Sequence, residues 1–143
     1  MIKTLPSLDD IEARIGAIER QPGAPAMAAR ELLGLSESVL EHWVSARGET
    51  PTTQQREGFR LLALQRQGAK GDPSFNACRE TCRELAFAHN CILADPDGPD
   101  AARQTTSAIM VARHICLFVS GKLQVAGLGE FCCSSKPLRA AGD

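Results

Sequence analysis

The sequence has no tyrosine, one tryptophan (Trp43) and five phenylalanines. So few aromatic rings weigh against a base-stacking platform or an aromatic-lined substrate pocket. The missing tyrosine also removes one common general acid. Neither sign of charge is in excess, since 16 Lys and Arg stand against 17 Asp and Glu. Such a balance gives no general field to gather phosphate backbones, so binding nucleic acid would need a local basic patch. No apolar run approaches the ~20 residues of a membrane span. The opening residues carry Lys3, Asp9 and Asp10 where a secretory signal needs an apolar stretch. The expected location is therefore the cytoplasm, with no membrane contact. Nucleophile-elbow, P-loop and dinucleotide-binding motifs are absent, and His42, His89 and His114 sit beside no serine nucleophile, so no enzyme is expected. Asp95, Asp97 and Asp100 alternate like a calcium loop, but Pro96, Pro99 and the lack of a twelfth-position glutamate exclude an EF-hand.

What is present is helical periodicity. Ser7 is a good N-cap, Asp9 and Asp10 suit a first turn, and Leu8, Ile11, Ile15 and Ile18 form an apolar stripe. After the break at residues 21–25, a second helix is expected over about 26–33, ended by Gly34. A third is expected over about 37–47, capped by Ser36 and ended by Gly48. Pro51 opens a fourth, about 54–67, carrying Phe59, Leu61, Leu62 and Leu64. The run from Gly68 to Pro73 reads as a linker. A fifth helix spans about 74–93, the turn cluster from Asp95 to Asp100 follows, and a sixth spans about 101–119. The expected fold is all-α, a small bundle of about six helices with an irregular C-terminal tail. Ile115–Val119, turning at Ser120–Lys122 into Leu123–Val125, offers a short hairpin as the alternative to helix. The expected division is a helical docking module over 1–69 and a Cys/His-rich hairpin and tail over 70–143.

All six cysteines lie after that linker. Such enrichment in a reducing compartment points away from a disulfide framework and toward core thiols, metal ligands or redox groups. At 100° per residue, Cys78, Cys82, Leu85 and His89 fall within about 60° of one another, one inward stripe of one helix. His114 shares a stripe with Met110, Val111, Leu117 and Phe118 on the next helix, so a hairpin would bring the two stripes face to face. Thiolate and imidazole suit zinc or an iron–sulfur cluster, with Cys78, Cys82, His89, His114 and the tail pair Cys132 and Cys133 as candidate metal ligands. The spacing matches neither zinc fingers nor ferredoxin runs. Thiols at i and i+4 also admit a redox pair, although Arg79 and Arg83, which could activate them, point off the stripe. The competing reading is packing, because buried cysteine behaves as a small hydrophobe.

The segment Ala28-Ala29-Arg30-Glu31-Leu32-Leu33-Gly34-Leu35-Ser36-Glu37-Ser38-Val39-Leu40-Glu41-His42-Trp43 resembles the helix-turn-helix of bacterial regulators of the mercury-resistance type. The resemblance implies a turn at Gly34 and a DNA-reading face with Ser36, Ser38, His42 and Arg47. Glu37 and Glu41 on that face disfavour phosphate contact. Trp43 to Thr50 is similar to the helical protein-docking module of nitrogenase cofactor-handling accessory proteins, which implies a protein partner.

Three functions follow as expectations. The first is an accessory or sensor protein holding a metal, an iron–sulfur centre or reactive thiols in its second half while its first half docks a protein partner. The second is a helix-turn-helix regulator with a cysteine sensor. The third is a docking adaptor with structural cysteines. A homodimer stays open in each.

Overall fold

The computed structural model describes residues 5–69 and 78–126. Five helices make up those residues: α1 (Leu8–Arg20), α2 (Pro25–Ala46), α3 (Arg60–Ala69), α4 (Cys78–Ala94) and α5 (Ala101–Ala126). No strand occurs among the described residues, so the all-α class holds. No helix among them is long and apolar enough to cross a membrane.

α1 forms as its sequence dictates. The Ser7 hydroxyl accepts the Asp10 amide at 3.0 Å, Asp9 and Asp10 occupy the positive first turn, and Ile11, Ile15 and Ile18 are buried. α2 corrects the expected pair of short helices. It runs unbroken for 22 residues from a proline in its first turn, straight through Gly34. The physical reason is continuity of burial: Ala28, Leu32, Ser36, Val39 and Trp43 lie buried at helical spacing on both sides of the glycine. A mid-helix glycine costs about 1 kcal/mol relative to alanine. Burying each large apolar side chain along the stripe returns roughly 1.5–3 kcal/mol, so the helix continues. It ends at Arg47, followed by Gly48 in the left-handed region (φ 81°).

The expected fourth helix begins late, at Arg60. Glu57 (φ 55°) and Gly58 (φ 87°) are both left-handed and form a tight two-residue hairpin, in which Arg56 and Phe59 exchange backbone hydrogen bonds of 2.9 and 3.0 Å. That geometry cannot be helical. α5 settles Ile115–Val119 as helix, which runs on through Gly121 to Ala126 in place of the hairpin alternative. Merging the second and third helices leaves five helices where six were expected. The irregular tail lies outside the described residues.

α2 touches all four other helices, and α4 and α5 pack along each other as a hairpin. Trp43, Ile15, Leu61, Leu85 and Ile115, one from each helix, are fully buried in a single cluster. Helices before and after the expected 69/70 boundary therefore share one core. Ion pairs stitch the surface, with Arg60 to Glu41 half-buried and Arg14 to Glu31, Arg83 to Glu57 (3.0 and 2.6 Å) and Arg113 to Glu19 (2.7 Å) more open to solvent. Pairs of this kind orient neighbours more than they stabilise them.

Gly34 is exposed, and a Cβ built on it meets nothing within 4 Å. Gly34→Ala is expected to raise stability by about 0.5–1 kcal/mol, read as a higher urea midpoint by circular dichroism. A loss of stability would place a turn at this residue.

Candidate functional site

Of the six expected metal ligands, Cys132, Cys133 and the Cys78 side chain lie outside what the structure describes, although Cys78 opens α4. The other three do not meet. Cys82 is fully buried in the common core. Its thiol is pushed up to about 12 by burial alone. His89 sits on the same stripe but at its half-buried edge. Its ring stands edge-on to Phe59 at 5.6 Å between centroids, with Nδ1 3.2 Å from Asn90 Oδ1. His114 is exposed. The expected stripe of α5 is split: Met110 (63% exposed), His114 and Leu117 (49%) face outward, whereas Phe118 is buried and Val111 packs partly against the core. The buried face is Thr105, Ala108, Ala112, Ile115, Cys116 and Val119. Small alanines allow close approach of neighbouring helices, whereas the bulky Met110–His114–Leu117 side does not.

Arg83 is turned to Glu57 and Arg79 toward Glu80, and burial is the sole cause raising the Cys82 thiol. Among the described residues, no group of three His, Cys, Asp or Glu side chains is placed to hold a metal ion. Cys116 is buried, with its Sγ 3.9 Å from the Leu8 carbonyl oxygen. Burial, with the nearby Glu12 carboxylate second, pushes its thiol up. Cys91 is half-buried.

The residues implied to read DNA are also placed otherwise. Without a turn at Gly34 there is no separate reading helix. Ser36 is buried, and its hydroxyl has no hydrogen-bond partner among the described residues. His42 Nε2–H donates to the Pro6 carbonyl at 2.7 Å and pins the approach to α1. Arg47 donates to the Gly68 carbonyl at 2.8 Å.

That carbonyl, near the C-terminus of α3, also accepts from Trp43 Nε1 at 3.0 Å. Arg47 lies 5.7 Å from the Trp43 ring centroid, and the buried Lys122 ammonium lies 5.0 Å from it and 5.2 Å from Phe118. A lysine stem packed in a core with its cation on aromatic faces is a desolvated cation–π contact, worth about 2 kcal/mol or more. The sequence offers Lys122 as a turn residue only in the hairpin alternative, and the helix expected over about 101–119 stops short of it. The signal was available, because a continued helix puts it in register with Ile115 and Val119.

An open groove combines apolar and charged walls. About 520 Å³ in volume, it lies where the start of α1, His42 of α2 and the later turns of α5 meet. Leu8, Leu117 and Leu123 give it apolar surface, and Asp9 and Glu12 edge it with carboxylates. Neither carboxylate makes an ion pair among the described residues. Ser7, Ser120 and the His42 ring complete the wall. Such a surface can bury an apolar side chain and hold a cation beside it.

With a thiol at about 12, Cys82 is ionised to only about one part in ten thousand at pH 8. Native protein treated with an aromatic disulfide reagent should leave Cys82 and Cys116 unlabelled over the time in which urea-unfolded protein reacts fully, as located by peptide mass mapping. Labelling of native Cys82 at an exposed-thiol rate would contradict this packing.

Comparison of the chain with protein-family models, curated proteins and solved structures finds no match in any of the three, and a functional reading rests on these side chains themselves.

Proposed function

We propose that this protein is a helical docking module that receives, in the groove between α1 and α5, a segment of a partner protein carrying a bulky apolar side chain flanked by lysine or arginine. The observation that carries the reading is the pairing of Leu8, Leu117 and Leu123 with the Asp9 and Glu12 carboxylates in one open groove. The apolar wall supplies affinity by excluding water, and the carboxylates select a cationic partner and speed its approach. At about 520 Å³ the groove has the volume of a single-anchor site. A short segment is the fitting occupant, bound with micromolar affinity and weakened by salt.

The packing of Cys82 and Cys116 supports structural roles for those two thiols. A zinc, iron–sulfur or redox function would rest on Cys78, Cys132 and Cys133. Anaerobic purification with metal analysis and absorbance separates the two readings: stoichiometric zinc or a brown chromophore would displace docking as the leading function.

The direct test uses a fluorescent synthetic helix with leucines along one stripe and lysines beside them. It is expected to bind the full chain, with affinity falling about tenfold or more in Leu117→Asp and in the double variant Asp9→Asn, Glu12→Gln. A matched peptide with glutamates in place of lysines should not bind. Equal binding of both peptides, or no change in either variant, would overturn the proposal.

A further inference from the structure

A second cleft lies on another part of the surface, where the segment between α2 and α3 folds back over α3. The segment is fastened rather than loose. Gln67 of α3 uses both ends of its amide on it, accepting the Thr52 amide at 2.9 Å and donating to the Thr50 carbonyl at 2.8 Å. Arg60 Nε donates to the Thr52 carbonyl at 2.8 Å, and the Thr52 hydroxyl accepts the Gln54 amide at 3.1 Å. The left-handed Glu57–Gly58 pair then closes the hairpin that sets Arg56. Between this segment and α3 is a cleft of about 330 Å³ whose polar lining is Thr52, Gln54, Gln55, Arg56, Arg66 and Gln67.

Its charge is of one sign. The wall carries two guanidinium groups and no carboxylate, in a chain whose formal net charge is −1. Several other arginines are matched to acids: Arg14 to Glu31, Arg60 to Glu41 and Glu37, Arg83 to Glu57, and Arg113 to Glu19. Arg56 and Arg66 have no carboxylate within salt-bridge distance among the described residues. Glu57, the nearest acid in sequence to Arg56, is held by both terminal nitrogens of Arg83, and the Arg56 charge is a lesser influence on its carboxylate. Two unmatched guanidinium groups, Arg56 on the pinned segment and Arg66 on α3, flanked by amide side chains, form a preorganised receptor for a compact dianion.

We propose that this cleft binds a small phosphomonoester, with Arg56 and Arg66 taking the phosphoryl oxygens and the glutamine amides meeting the polar body of the ligand. A volume of about 330 Å³ suits one mononucleotide-sized molecule and not a nucleic-acid strand. The site is independent of the α1–α5 groove, so the failure of either leaves the other standing.

The test is calorimetric titration of the full chain, at constant ionic strength, with adenosine monophosphate, with inorganic phosphate and with adenosine. Adenosine monophosphate should bind, inorganic phosphate should bind more weakly and compete with it, and adenosine should not bind. Arg56→Gln and Arg66→Gln, both at exposed positions, should each weaken adenosine monophosphate by about tenfold with an unchanged circular dichroism spectrum. Arg56→Lys should retain part of the affinity. The proposal is overturned if neither phosphate compound binds at ~10 mM, if the double glutamine variant binds as the parent does, or if a single-stranded oligonucleotide binds the cleft more tightly than the mononucleotide.

Discussion

The unbroken passage of α2 through Gly34 is the constraint on which the other four helices depend. A helix that stopped there would split the buried line from Ala28 to Trp43 into two short pieces, each too short to hold itself together in water. Kept whole, it lays one continuous apolar face against α1, α3, α4 and α5 in turn. At its far end Trp43 ties down three chain segments at once. Its ring nitrogen fixes the end of α3 through Gly68, and its faces take Arg47 and Lys122. Cations at the C-terminal ends of helices also meet the negative end of each helix dipole.

The same packing decides what two of the cysteines can do. A thiol acts as nucleophile or ligand once it is deprotonated, and burial opposes the charge. Cys82 faces the core beside Leu85, and the nearby arginines spend their charge on glutamates elsewhere. Chemistry at the surface is left to the grooves. One is edged by acids over leucine, and the other is walled by unmatched arginines and amides. The two differ in charge and in volume, so the two proposed ligands would occupy separate parts of one scaffold.

Much of the fold was legible in the sequence. The Ser7 cap and isoleucine stripe placed α1 to the residue, and the breakers from Asp95 to Asp100 placed the α4–α5 turn. Where the fold departs from the sequence expectation, the register around a residue outweighs its type. Gly34 has the type of a helix breaker and Ser36 that of a cap, but the buried residues on either side keep helical spacing. On α5, hydropathy favoured Met110 and Leu117 over Ala108 and Ala112, although closely packed helices bury small residues. Lys122 lies beyond the helix expected to end near Val119, although a helix continued to it keeps it in register with Ile115 and Val119.

The candidate sites were less legible than the fold, because each depends on tertiary closure. Nothing local links Leu8 with Leu117, or Arg56 with Arg66. The first pair meets because α1 packs on α5, and the second because Gln67 and a left-handed Glu57 fold a loop back over α3. The account makes the α1–α5 groove the working surface of the protein. The measurement that tests this most directly is a backbone amide spectrum of the full chain, titrated with the leucine–lysine helix. The predicted result is chemical-shift change concentrated in residues 7–12 and 117–123 and in His42. Change concentrated instead in 78–91, with those residues unmoved, would contradict it.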